Sequence, residues 1–174
     1  MSPQPRGALS DAIRRGGHRN GRDIALPEPL QPFGLYVPAV RTGNLVFLSG
    51  AGPVRPDGTI VTGRVGTGPD DLSPAAARDA ARLTGLRLLA ALRAAIGDLD
   101  RVERVVKLLG FVRCTPDFTE QPAVIDGCSE LLVEVLGDPG RGARSAIGVT
   151  ALPFGIAVEI EAVVQVRPSH GMPT

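Results

Sequence analysis

The chain of 174 residues has little of the side-chain chemistry from which many metal and nucleic-acid sites are built. It has no Trp, two His, two Cys and a single Tyr, Tyr36. His18 and His170 lie near the two ends, and Cys114 and Cys128 are too far apart to form a Cys-x-x-Cys pair. These counts argue against a Cys/His zinc site, a His-dependent catalytic triad and surfaces on which bases stack.

Charge of one sign and long apolar runs are also missing. Lys and Arg total 19 against 18 Asp and Glu, a formal net charge of +1, so no strong field draws nucleic acid or acidic membranes to the chain. Met1–Leu9 has no apolar signal core, and Arg87 and Arg93 interrupt the longest apolar stretch. We therefore expect a cytoplasmic protein with reduced thiols, without a membrane or nucleic-acid partner.

Composition divides the chain into three parts. Residues 1–32 form an arm in which five Arg lie among Gly and Pro, residues 33–168 carry regular patterns, and residues 169–174 form a short tail. Three interpretations of the arm stay open: packing on the body or on a neighbouring subunit, binding of an anionic partner, or an Arg-rich transit peptide.

The regular part predicts the order β-β-(β)-α-β-α-β-β. The first helix starts at the N-cap Ser73 and ends at Gly97, and the second runs from about Gln121 to Gly137. The expected strands are Leu35–Val40, Asn44–Ser49, a brief one at Thr59–Thr62, a central one at Val102–Cys114, Arg144–Leu152 and Ile156–Val166. This order indicates an α+β domain with one mixed sheet and both helices on one face.

The last strand indicates what covers the other face of the sheet. Its residues alternate, so Val158, Ile160 and Ala162 face the helices while Glu159 and Glu161 share the opposite face with Val163 and Gln165. A face that mixes carboxylates with apolar groups, and that no helix covers, favours a closed homo-oligomer in which the sheets pack together.

Arg144 is the first candidate for chemistry, because it follows a Gly-rich loop at the start of a strand. A guanidinium there can hold a planar carboxylate through two parallel hydrogen bonds. Glu159 is expected on an adjacent antiparallel strand, reached through the turn Pro153–Gly155. The alternative is a structural ion pair between Arg144 and Glu159.

The segment Ser49–Gly52 is the second candidate. It ends a strand, so its backbone N–H groups could bind an anion, although a tight turn is the alternative. Tyr36 lies on the strand expected beside it, where half-buried packing is the usual role of a phenol ring.

Several stretches between Phe33 and Val166 resemble the Rid family, also called YjgF or endoribonuclease L-PSP-like. The most specific is the pair formed by the strand at Arg144 and the strand at Glu159. The stretches are Pro32–Val37, Asn44–Gly50, Gly97–Val102, Lys107–Val112, Asp117–Phe118, Ala143–Val149 and Leu152–Ala162.

The resemblance implies a chorismate-mutase-like fold and a homotrimer whose sheets form a central barrel, with sites in the clefts between subunits. It implies hydrolysis of a small reactive enamine or 2-imino acid to a 2-keto acid and ammonia, without metal or organic cofactor. Arg144 matches the clamp for the substrate carboxylate, and Glu159 matches the residue that positions water. Tyr36 matches the tyrosine of the family's ligand pocket, and Ser49 and Gly50 match the edge that contacts the ligand.

Three positions depart from the family pattern. Ala51 stands where Gln is usual, Ala146 where Cys is usual, and Asp126 matches an Asn at the start of the second helix; we include Ala146 and Asp126 among the expected substrate contacts. The departures leave a second function open, a non-catalytic trimer that senses a small carboxylate metabolite. A third function, endoribonuclease, lacks the His acid–base pair that such chemistry usually uses.

Overall fold

The computed structural model describes residues 24–29 and 34–168, so the expectations for most of the arm and for the tail lie outside the described residues. The predicted element order is confirmed, except that the brief strand at Thr59–Thr62 is reduced to isolated bridges. In chain order the elements are β1 (Ala39–Thr42), β2 (Leu45–Ala51), α1 (Pro74–Ile96), β3 (Val102–Arg113), α2 (Gln121–Leu136), β4 (Ala143–Val149) and β5 (Val158–Val166).

The five strands form one mixed sheet in the order β1-β2-β5-β3-β4, in which only β3 and β4 are parallel. β3, predicted to be central, is an interior strand with a neighbour on each side, although β5 is the middle strand. The predicted pairing of the last two strands is wrong, because β3 lies between β4 and β5. The reason is that β3, α2 and β4 form a crossover unit, which places β4 beside β3 and parallel to it. After β4 the chain crosses to the other side of β3, where β5 pairs with it.

The hairpin of β1 and β2 has the predicted tight turn, with Gly43 at φ +58. The first strand begins later than expected, at Ala39. Pro38 explains the late start, since it has no N–H for a ladder and restricts the residue before it. The chain at Leu35–Pro38 therefore approaches the sheet as a bend rather than as a strand.

Both helices begin and end as the sequence predicts. The Ser73 hydroxyl accepts a hydrogen bond from the Ala76 N–H at 3.2 Å, and Gly97 and Gly137 end the helices with φ of 83° and 73°. The helices pack on each other and on the same face of the sheet. Cys128, predicted to be a core residue, is fully buried, and burial raises the pKa of its thiol to about 12.

The core lies between the helices and the sheet, and the alternation predicted for β5 is confirmed. Val158 and Ile160 are completely buried, whereas Glu161 is exposed on the other face. That other face, which no helix covers, also carries Phe47 and Ile147, each more than two-fifths exposed. Within residues 24–29 and 34–168, none of the helices has the length and apolar character needed to cross a bilayer.

Candidate functional site

A bulge in β2 shapes the first of two cavities that hold the candidate residues. Leu48 pairs with Ala162 of β5 but Ala51 pairs with Ile160, so β2 contains one extra residue at Ser49–Gly50. Bulges of this kind bend a strand and re-aim its neighbours, and they are frequent beside active sites. The cavity next to this bulge has a volume of about 170 Å³.

Glu159 and Gly50 meet in this cavity, which we call the Glu159 cavity. A Cβ atom placed on Gly50 would overlap the Glu159 carboxylate, so only glycine permits this approach. Burial and, secondarily, the negative charge of Glu161 raise the pKa of Glu159 above its usual value. A carboxyl group with a raised pKa in a mostly apolar cavity is suited to exchanging a proton with a bound molecule.

Ser49 does not offer its backbone N–H to an anion, which was one interpretation of the sequence, but has a structural role. Its N–H donates to the Pro38 carbonyl at 3.0 Å, so it is not available to an anion, and its hydroxyl donates to the Val37 carbonyl at 2.7 Å. Ser49 thus fixes the bend that carries Tyr36. The Tyr36 ring is half exposed and lines the Glu159 cavity.

Two further residues of the Glu159 cavity were not predicted. Phe154 lies at its rim with φ 55° and ψ 12°, the left-handed conformation that non-glycine residues rarely adopt, and its side chain is 72% exposed. Arg87 reaches the cavity from α1. In the sequence, Arg87 only interrupts an apolar run, which is typical of a solvated helix face. Pro153 and Gly155 predict a turn at Phe154 but do not indicate that Phe154 lines a site.

Arg144 lies elsewhere in the chain, in a groove of about 720 Å³ beside α2. Its Nη1 donates to Asp126 Oδ1 at 2.6 Å and to Ser129 Oγ at 2.9 Å, and its side chain is 25% exposed. The alternative of an ion pair between Arg144 and Glu159 is therefore wrong, and Asp126 is the carboxylate partner. Ala146 packs against the core and lines neither this groove nor the Glu159 cavity.

One chain thus divides the predicted site residues into two groups. Arg144 and Asp126 lie on the helix side of the sheet at its β4 edge, while Tyr36, Ser49 and Gly50 surround Glu159. Strand β3 separates the groups, since Arg144 pairs with Leu108 and Glu159 pairs with Phe111 three residues further along. Among the described residues, no three His, Cys, Asp or Glu side chains come together as a metal site would require.

The comparisons with known proteins agree with this fold and with the predicted resemblance. The sequence model of the Endoribonuclease L-PSP family matches residues 27–166, and the chain belongs to this family, which is also called YjgF or Rid. It is 43% identical to Protein TCP17 of Trypanosoma cruzi over 83% of this chain and 89% of that protein.

Two further relatives are informative. The chain is 32% identical to the 2-iminobutanoate/2-iminopropanoate deaminase of Dermatophagoides farinae over 84% of this chain and 97% of the enzyme. Its fold matches the crystal structure of the protein Atu1372 of Agrobacterium tumefaciens, a protein of unknown function. The TM-score is 0.78 and the identity 40%, over 93% of this chain and 94% of that one.

Proposed function

We propose that the protein hydrolyses a small 2-imino acid to the 2-keto acid and ammonia, at a site that two chains complete. Glu159 positions water in its cavity with Tyr36, Ser49 and Gly50, and Arg144 of a neighbouring subunit holds the substrate carboxylate. The separation of Arg144 from Glu159 within one chain is the observation that carries this proposal. The relative named as an imine deaminase supports the reaction type.

The guanidinium of Arg144 suits the role of a clamp. Only its Nη1 has hydrogen-bond partners among the described residues, namely Asp126 and Ser129, so its remaining N–H groups can meet a planar carboxylate. Asp126 and Ser129 fix the guanidinium before the ligand arrives, which lowers the entropy lost on binding.

The chemistry needs little more than positioning and one proton carrier. An imine carbon is already electrophilic, so water held by Glu159 adds to it and forms a carbinolamine. During the addition the Glu159 carboxylate takes one proton from the water and gives it to the nitrogen. It then takes the remaining hydroxyl proton and gives it to the nitrogen as the C–N bond breaks, so that the keto acid and ammonia leave. The raised pKa of Glu159 favours this exchange, because a carrier works best when its pKa lies nearer the working pH.

A homotrimer is the assembly that we propose for this site. The face of the sheet that carries Phe47, Ile147 and Glu161 has no cover in one chain, and an exposed apolar face of this kind favours association. Packing three such faces around one axis closes the assembly and brings each Arg144 towards a neighbour's Glu159.

Mixed assemblies test the shared site directly. Arg144→Ala and Glu159→Gln are each expected to release almost no ammonia from imino acids generated by an amino-acid oxidase. Co-expressed in equal amounts they should recover about a quarter of wild-type activity, since each site draws one residue from each of two chains. Arg93→Ala, at an Arg of α1 that lines neither the groove of Arg144 nor the Glu159 cavity, is the matched control and should keep full activity.

A lack of recovery in the mixture would show that the site does not lie between chains. Light scattering on the same samples measures the mass and should give three chains per particle. A wild-type protein that releases no ammonia above the buffer rate would overturn the deaminase itself.

Two observations favour a second function, binding without turnover. Asp126 already neutralises part of the Arg144 charge, and Ala51 and Ala146 replace polar or reactive residues of the family pattern. A trimer that binds a 2-keto acid in calorimetry but never releases ammonia would be a sensor of small carboxylates. Endoribonuclease activity gains no support, because the described residues contain no His.

A further inference from the structure

Arg87 occupies an unusual position in the wall between two cavities. It lines the Glu159 cavity and also a groove of about 470 Å³ that is formed with residues 25–29. Its Nη1 donates to the Glu28 carbonyl at 3.1 Å. Its Nε is buried and has no hydrogen-bond partner in the part of the chain that the structure describes.

The charge of Arg87 also has no carboxylate partner within residues 24–29 and 34–168. Arg64, Arg82 and Arg144 each lie within 2.8 Å of a carboxylate oxygen. Arg87 has no such neighbour among the described residues. Burial lowers the pKa of Arg87, and no nearby charge among those residues opposes this shift. A partly buried cation without a carboxylate partner is costly unless an anion meets it.

We propose that Arg87 binds a second acidic group of the ligand, so that the protein's ligands are dicarboxylic 2-imino acids and the matching 2-keto acids. This inference rests on the proposed function, in which Arg144 of a neighbouring subunit holds the first carboxylate. Arg87, from α1, and Glu159, from the sheet, line the same cavity.

The size and lining of the cavity fit such a molecule. At about 30 Å³ per water, 170 Å³ holds roughly five or six waters, which is room for a short carbon chain and a terminal carboxylate. Apolar residues, among them Leu88, Ala91 and Ile156, also line the cavity. A cation at Arg87 and apolar walls match a ligand whose terminal carboxylate follows a methylene chain, with its reacting carbon at Glu159 and its first carboxylate at Arg144 of the neighbouring subunit.

A purely structural role for Arg87 is the competing explanation, since it also holds residues 24–29 through Glu28. That role would affect stability, or all ligands equally. A structural role would leave unchanged the ratio of the affinities for ligands with two carboxylates and with one, whereas the proposed role would change this ratio.

Calorimetry with two 2-keto acids separates these explanations. 2-Oxobutanoate has one carboxylate and 2-oxoglutarate has two, and wild type should bind the second at least tenfold more tightly. Arg87→Gln should lose about tenfold to a hundredfold in affinity for 2-oxoglutarate and keep its affinity for 2-oxobutanoate. Arg93→Gln, six residues further along α1 and outside both cavities, is the matched control and should behave as wild type.

Failure of this inference and failure of the proposed function give different results. Equal binding of the two acids by wild type, or equal losses for both in Arg87→Gln, would overturn the role of Arg87 and leave the deaminase site intact. The wild-type comparison needs no variant and therefore decides the matter even if Arg87→Gln does not fold. Binding of neither acid by wild type would overturn the proposed site and this inference together.

Discussion

Arg144 and Asp126 form a salt bridge between β4 and α2, with Arg144 Nη1 2.6 Å from Asp126 Oδ1. The Ser129 hydroxyl accepts from the same nitrogen at 2.9 Å, so both contacts hold the guanidinium at Nη1, and Arg144 lines the groove beside α2. Asp126 thus has two opposing effects on a carboxylate ligand, since it orients the clamp and also cancels part of its charge.

Substitutions at Asp126 separate these effects. Asp126→Asn keeps an oxygen that accepts from Arg144 but removes the negative charge, so 2-keto acids should bind up to about fivefold more tightly, as expected for a partly exposed charge pair. Asp126→Ala removes the orienting contact as well and should bind more weakly than Asp126→Asn. Calorimetry with 2-oxobutanoate measures the affinity of each variant. Equal weakening in the two variants would show that the carboxylate charge itself helps to bind the ligand.

Gly50→Ala tests the close approach of β2 to Glu159. The added Cβ must displace the Glu159 carboxylate, because the two would overlap. We expect ammonia release to fall by about a hundredfold or more, the usual contribution of a positioned proton carrier, with the trimer still formed. The double variant with Glu159→Gln should be no slower than Glu159→Gln alone, since both changes remove the same group. Additive losses in this cycle would contradict the assignment.

The helices and the face alternation of β5 could be predicted because their signals are local. Ser73, Gly97 and Gly137 mark helix ends by the chemistry of capping, and a period of two assigns Glu159 to the face opposite Val158. The family resemblance then added the candidate residues themselves.

The pairing of strands and the partner of Arg144 could not be predicted, because both depend on contacts between distant segments. The turn at Pro153–Gly155 has the residues of a hairpin, yet β5 pairs with β2 and β3. Asp126 meets Arg144 only because α2 crosses between β3 and β4. Arg87 has no local signal at all, since its exceptional environment is made by residues 25–29 and the loop beside β2.

The charge of Glu161 should contribute to the position of the acid limb of the activity profile. Burial raises the pKa of Glu159 and the charge of Glu161 raises it further, so Glu161→Gln lowers that pKa. If the carboxylate form of Glu159 activates water, activity rises with pH through the pKa of Glu159. The rise in kcat/KM should therefore move to lower pH in Glu161→Gln. A pH series measures this, and an unmoved or upward-shifted rise would show that Glu159 is not the titrating group. High salt in wild type should shift the rise in the same direction, because it screens the repulsion.

Gly127→Ala tests the contact between the two helices. A Cβ at Gly127 would overlap the backbone carbonyl of Arg78, which cannot rotate away, so the variant should lose about 1–3 kcal/mol of unfolding free energy. Gly85→Ala is the matched control: its Cβ meets Leu131 Cδ2 at 2.9 Å and Cys128 Sγ at 3.1 Å, side-chain atoms with more freedom to move, so its loss should be smaller. Urea unfolding measures the loss of unfolding free energy in both variants. The protein concentration is kept the same in all samples, because oligomers gain stability with concentration. Helix propensity alone favours Ala over Gly, so a stabilised Gly127→Ala would show that the helices are not in close contact at this point.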